Sequence, residues 1–159
     1  MGSKKIQFMK YIKTYKIFEN IITILSYSSQ NLTELPELSD TLLELYCYKN
    51  NLLKLPKLPH NLIKLSCSYN KLTLLPELPD TLKILNCYNN ELTELPKLPG
   101  TLKELDCSNN NLSELPDLPE SLEYLYCYDN NLPYDDLDEY KKWYAEKYPD
   151  RWEAKKYNL

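Results

Sequence analysis

The sequence has no valine, only two glycines, one histidine and one arginine in 159 residues. Each shortage excludes something. Gly2 and Gly100 stand far apart, so no glycine-rich loop can cradle a phosphate. With His60 as the single imidazole there is no multi-histidine metal site and no mechanism needing two histidines. The net charge of −4 argues against a general nucleic-acid binder. No apolar run reaches the roughly 18 residues of a membrane span, and no apolar core of a signal peptide follows the first lysines. No Cys-x-x-Cys pair occurs, so the usual metal and redox spacing is missing.

What is present is leucine, at 32 positions, with 15 tyrosines, 15 asparagines, 11 prolines and five cysteines. Cys47, Cys67, Cys87, Cys107 and Cys127 recur every 20 residues. Asn50, Asn70, Asn90, Asn110 and Asn130 keep the same step, as do Leu42, Leu62, Leu82, Leu102 and Leu122. Five copies read L-x-x-L-x-C-x-x-N-x-L, four of them continuing into x-x-L-P-x-L-P. An earlier, degenerate copy begins at Ile22, with Tyr27 in the cysteine slot and Gln30 in the asparagine slot. Six repeats therefore occupy residues 22–132 of a single folded domain.

The spacing within one copy predicts its conformation. Leu45 and Cys47 point inward while Glu44, Tyr46 and Tyr48 alternate outward, which is a short strand. A unit this small cannot cover its own apolar face, so copies must stack and their strands pair in parallel. The asparagine column falls where the chain turns inward; its amides are expected to form a ladder on buried backbone groups. The inward cysteines, Cys47 through Cys127, read as small core residues beside that ladder. Unbridged thiols also favour a reducing compartment, hence an intracellular protein. Two prolines three residues apart favour an extended, polyproline-like return path.

This pattern resembles the leucine-rich-repeat superfamily in its short bacterial class, as found in secreted effectors of enteric pathogens. The Cys/Asn/Tyr/Lys-rich flavour is similar to repeat proteins of mimivirus-group giant viruses. The resemblance implies an α/β solenoid, right-handed and curved, with a parallel sheet on the concave face, an extended convex side and helical caps at both ends. It implies protein–protein recognition, in a viral or bacterial host-interaction protein acting in the host cytoplasm. Some effectors of this class carry a ubiquitin-ligase domain after the repeats. The segment after Leu132 is short and lacks cysteine, so that activity is not expected.

The ends read as caps. Phe8, Tyr11, Ile12, Tyr15 and Phe18 suit one face of a helix within residues 1–21, with lysines mostly elsewhere. A membrane-surface or acidic-partner helix is the alternative use of that segment. In residues 133–159, Asp135 or Asp136 can cap a helix bearing Leu137, Tyr140, Tyr144 and Tyr148, which Pro149 would end.

The outward strand slots vary between copies while the buried slots barely do. Tyr46, Tyr48, Lys64, Tyr69, Lys83, Tyr88, Lys103, Asp106, Tyr124, Tyr126 and Tyr128 are the candidate binding residues of the concave face. Tyrosine combines large contact area, a polar tip and few rotatable bonds, which suits recognition. Stabilisation of the sheet by cross-strand aromatic contacts is the competing explanation. The expectation is a non-enzymatic module, monomeric and without cofactor or metal, holding a protein or peptide on this face. A structural or self-assembling repeat protein is the alternative.

Overall fold

Leucine at every core position and a hydrogen-bonding residue at every turn dictate a stack of near-identical coils, and the computed structural model has that form. It describes the backbone of residues 13–14, 17–18 and 21–157, and side chains of residues 23–154. Strands β1 (Lys13–Thr14), β2 (Ile17–Phe18) and β3 (Ile21–Ile22) precede the array. Six three-residue strands then recur every 20 residues: β4 (Ile24–Ser26), β5 (Glu44–Tyr46), β6 (Lys64–Ser66), β7 (Ile84–Asn86), β8 (Glu104–Asp106) and β9 (Tyr124–Tyr126). They pair in parallel in chain order, in a register that sets Leu45 beside Leu65 and Leu85 beside Leu105.

The central residue of each strand enters the core. Leu45, Leu65, Leu85 and Leu105 are wholly buried, as are the cysteines two positions on and Leu52, Leu72, Leu92 and Leu112 beyond the turn. Truncating one of these leucines to alanine removes its transfer energy and leaves a cavity, a loss of about 3–5 kcal/mol. Tyr27 fills the first cysteine slot and is 3% exposed. The return segments form no regular hydrogen-bonded element. Each closes in a tight turn, with the Leu62 N–H donating to the Pro59 carbonyl at 3.1 Å and the same bond repeating from Leu82 to Pro79.

The asparagine ladder is continuous. Asn70 Nδ2 donates to the carbonyls of Cys47 and Cys67, both at 3.0 Å, and Asn70 Oδ1 accepts the Leu52 N–H at 3.0 Å. Asn90 and Asn110 repeat the pattern one and two copies on. Each amide thus ties its own copy to the one before it. A second ladder was not foreseen from the spacing. Thr81 Oγ1 donates to the carbonyls of His60 and Leu62 at 2.8 and 2.9 Å, and Thr101 does the same to Asp80 and Leu82. Ser121 continues it on Leu102 at 2.6 Å.

The two ends differ from the sequence reading in different ways. The expected N-terminal helix meets strands at Lys13–Thr14 and Ile17–Phe18, where β1 pairs antiparallel with β4 and β2 with β3. β-Branched Ile17, Ile21 and Ile22 favour the β2–β3 pairing over a helical stripe, while β1 takes the sheet edge beside β4. Phe8, Tyr11, Ile12 and Tyr15 lie outside the described residues. At the other end α1 spans Leu137–Lys147, capped by Asp136, whose Oδ1 accepts the N–H groups of Asp138 and Glu139 at 2.9 Å. Glu139 reaches back to accept the N–H of Asp135, the residue before the cap, at 2.9 Å, a second tie at the helix start. Pro149 does not simply end the helical region. It opens a second helix, α2 (Pro149–Tyr157), because proline at a first helical position lacks only an N–H that would have no partner there. Tyr134, Tyr140 and Tyr144 are buried between the last copy and these helices.

Candidate functional site

The outer face of the sheet is built by position. Inside each copy the strand alternates, so the residues flanking the central leucine project outward. The first outward column runs Glu44, Lys64, Ile84, Glu104, Tyr124, and the second Tyr46, Ser66, Asn86, Asp106, Tyr126. A third column follows the cysteines: Tyr48, Ser68, Tyr88, Ser108, Tyr128. Tyrosine and serine alternate here, and the alternation has a packing result. Tyr88 and Tyr128 stand two copies apart, yet their ring centroids are 6.4 Å apart, so the rings lean together over the intervening copy. Ser108 beneath them is 0% exposed.

A fourth column takes up the left-handed backbone region. Lys49, Tyr69, Asn89, Asn109 and Asp129 all have φ between 53° and 57°. This reversal aims the next residue, the ladder asparagine, into the core. Asparagine and aspartate tolerate that conformation; a tyrosine there carries strain of order 1–2 kcal/mol. Tyr69 nonetheless occupies it, 44% exposed, its ring edge-on to Tyr88 at 5.1 Å. Lys49 lies over the Tyr69 ring at 5.8 Å. The hydrogen bond with Tyr88 is the main cause that raises the Tyr69 phenol above its ordinary pKa. Tyr69, Tyr88 and Tyr128 thus form one aromatic cluster across the middle of the sheet.

The other predicted residues separate into groups. Tyr46 is drawn down onto Glu44, donating its hydroxyl to Oε2 at 2.7 Å, with Lys64 over its ring at 5.4 Å. Burial first, and the Glu44 bond second, push its phenol up to about 12. Lys103 is held by Glu123 at 2.6 Å in an exposed pair that solvent screens. Lys83 precedes β7, its N–H donating to the Ile63 carbonyl at 2.8 Å. Tyr124, Tyr126 and Tyr128 form an exposed stripe along the last strand, at 56, 46 and 42%. Tyr48 stands at the first-copy side, away from the cluster's ring contacts. Asp106 is half-buried beside the cluster and accepts the Ser108 N–H at 3.2 Å. Asn86 makes the equivalent bond to Tyr88 at 3.2 Å. Sequence reasoning did not single out Asn86 or Ser108; the tyrosine–serine alternation was the available signal.

The cysteines offer no chemistry at neutral pH. All five are buried and free. Burial pushes the Cys67 and Cys127 thiols up to about 12 and raises Cys47, Cys87 and Cys107 well above the ordinary value. A protonated thiol is neither nucleophile nor metal ligand. Among the described residues no group of three His, Cys, Asp or Glu could hold a metal ion. His60 is exposed, 3.9 Å from an equally exposed Asp40.

On the proline-bearing side a groove of about 870 Å³ runs past Leu78 and Pro79. Lys57 and Lys97 share it with Glu77 and Asp80, so no single charge or donor set converges there.

The comparisons agree with this geometry. A leucine-rich-repeat family model matches residues 101–122. The structure is similar to YopM from Yersinia enterocolitica WA-314, with TM-score 0.63 and 41% identity, over 64% of this chain and 25% of that one. It is also similar to a Shigella effector leucine-rich-repeat domain, with TM-score 0.67 and 38% identity, over 68% of this chain and 50% of that one. The chain thus spans a quarter of the first and half of the second. A search of curated proteins gives no match. The fold is that of the leucine-rich-repeat proteins, with the sheet on the side that is concave in such solenoids. Within that class, the repeat is of the bacterial effector type. The likeness to giant-virus proteins finds no support in these matches. No helix among the described residues is long and apolar enough to cross a membrane.

Proposed function

We propose that the protein is a binding module that holds a host protein or peptide on the outer face of its sheet, without catalysis. The observation that carries this reading is the strained Tyr69. The fold places asparagine or aspartate at three of the other positions in that column, so the turn itself does not call for an aromatic side chain. Tyrosine there extends the Tyr88–Tyr128 cluster into solvent. Backbone strain kept for an exposed side chain points to use rather than stability. Rigid, half-exposed aromatics are also what a recognition surface needs. The likeness to a Shigella effector domain favours a host protein as the partner and a bacterial rather than viral setting.

A photo-crosslinking amino acid placed at Tyr126, on the outer face, tests this against one placed at Leu74, which is also exposed but lies off the sheet. In mammalian-cell lysate the Tyr126 probe is expected to yield discrete adducts that the Leu74 probe does not. Equal labelling from both positions, or none from Tyr126, contradicts the reading.

A further inference from the structure

Asp106 is the carboxylate of the second outward column, and no cationic partner compensates its charge. Its in-register neighbours are Asn86 on one side and Tyr126 on the other, both neutral. It accepts one backbone N–H, from Ser108 at 3.2 Å. Among the described residues no lysine or arginine lies within ion-pair distance of it; the nearby Lys103 is engaged by Glu123. Asp106 is hydrogen-bonded to Ser108, the buried residue beneath the Tyr88 and Tyr128 rings, so it sits at the foot of the aromatic cluster. Burial raises its carboxyl above the ordinary value, and the hydrogen bonding from Ser108 offsets this only in part. Glu104, two residues before it, and Asp129, beside Tyr128, add negative potential without filling the site.

We infer that Asp106 and the rings of Tyr69, Tyr88 and Tyr128 form an anchor site for an arginine side chain of the bound protein. The inference rests on the outer face being a protein-binding surface. A half-buried carboxylate without a cationic partner, next to a cluster of exposed tyrosine rings, matches a guanidinium in charge and offers it a ring to stack on. The plane of the guanidinium stacks on a tyrosine ring while its N–H groups reach the carboxylate. An ammonium group is a strongly hydrated point charge, and stacking does not compensate its desolvation as well. Docking an arginine there supplies the positive charge that the free protein withholds from Asp106.

The test titrates the full 15N-labelled chain with N-acetyl-arginine-N-methylamide, its neutral citrulline counterpart and its lysine counterpart, following amide shifts. The arginine probe is expected to move the Asp106, Ser108 and Tyr126 amides and to bind at least about fivefold more tightly than the other two. Asp106→Asn is expected to abolish that advantage while leaving the remaining spectrum in place. Equal binding of citrulline, tighter binding of the lysine probe, or no shifts around Asp106 overturns the arginine site. The crosslinking assay, repeated on Asp106→Asn, separates the two claims. Adducts at Tyr126 that survive unchanged mean that the face binds protein by other contacts. No adducts in the wild type mean that the face itself was misread.

Discussion

Tyr69 holds φ at 54° and packs its ring edge-on to Tyr88 at 5.1 Å. The backbone conformation disfavours the side chain, and the side chain's contact is with another surface tyrosine. Two energies oppose each other here. The left-handed conformation costs about 1–2 kcal/mol for a bulky residue. An aromatic pair returns about 0.5–1.5 kcal/mol, at the low end when solvated.

Tyr69→Asn should therefore leave the urea midpoint equal to or above that of the wild type, while partner capture drops. A loss of stability greater than about 1 kcal/mol would mean that the tyrosine serves the fold. The reciprocal change, Asn109→Tyr, should destabilise by about 1 kcal/mol, since it imports the strain without the ring contact.

The asparagine ladder sets a larger scale. Asn90→Ala removes the acceptor of the Leu72 N–H and the donor to the Cys67 and Cys87 carbonyls, all in the interior. The Cys67 and Cys87 carbonyls keep one donor each, from Asn70 and Asn110, so the Leu72 N–H is the group left bare, and the expected loss by chemical denaturation is about 1–3 kcal/mol. Asn130→Ala should cost less, because its amide is only partly buried. Similar losses at both positions would show that the ladder is not what joins the central copies.

The thiols predict behaviour in alkali. Each has a folded pKa above its unfolded value of 9.0, with Cys67 and Cys127 near 12. Between these values the unfolded chain releases protons that the folded chain keeps, so stability falls as pH rises. Below about pH 8 both states are protonated and the effect vanishes. Each thiol adds its own slope above its unfolded value, so a stability that falls steeply with pH above about 9 is the expected result. Circular dichroism against pH checks it. Cys67→Ala/Cys87→Ala should move the transition upward; an unchanged midpoint would deny the thiols this role.

Asp106 carries the same sign of linkage in the acid range. Its folded pKa lies above the ordinary 3.8, so its penalty is full at neutral pH and disappears as pH falls through the raised value toward 3.8. Asp106→Asn keeps an acceptor for the Ser108 N–H and removes the charge. The variant should melt higher than the wild type at pH 7, and the gap should close at about pH 3. A variant that melts lower at pH 7 would show a carboxylate already well served by its surroundings.

The solenoid was legible because a repeat converts one short pattern into many coincident columns. Leu45, Cys47 and Asn50 say little alone; with their counterparts 20 residues apart they define strand, core and turn. The outer columns were legible as positions. Their contacts were not, since the meeting of Tyr69 with Tyr88 depends on a left-handed turn and that of Tyr88 with Tyr128 on a serine between them. The Thr81 and Thr101 ladder stands in a column visible at the same step, Thr41, Asn61, Thr81, Thr101 and Ser121, but the spacing alone does not say which carbonyls these side chains reach. The helical stripe shows the converse at its described end, where Ile17–Phe18 pairs antiparallel with Ile21–Ile22 and Lys13–Thr14 joins the sheet beside β4.

Capture from mammalian-cell lysate by the wild type and by Tyr69→Asn/Tyr88→Ser/Tyr128→Ser, with both melting curves in hand, tests the central claim most directly. The account predicts proteins retained by the wild type and lost from a triple variant that melts within a few degrees of it. Equal retention by the two proteins would contradict it and place any partner elsewhere on the molecule.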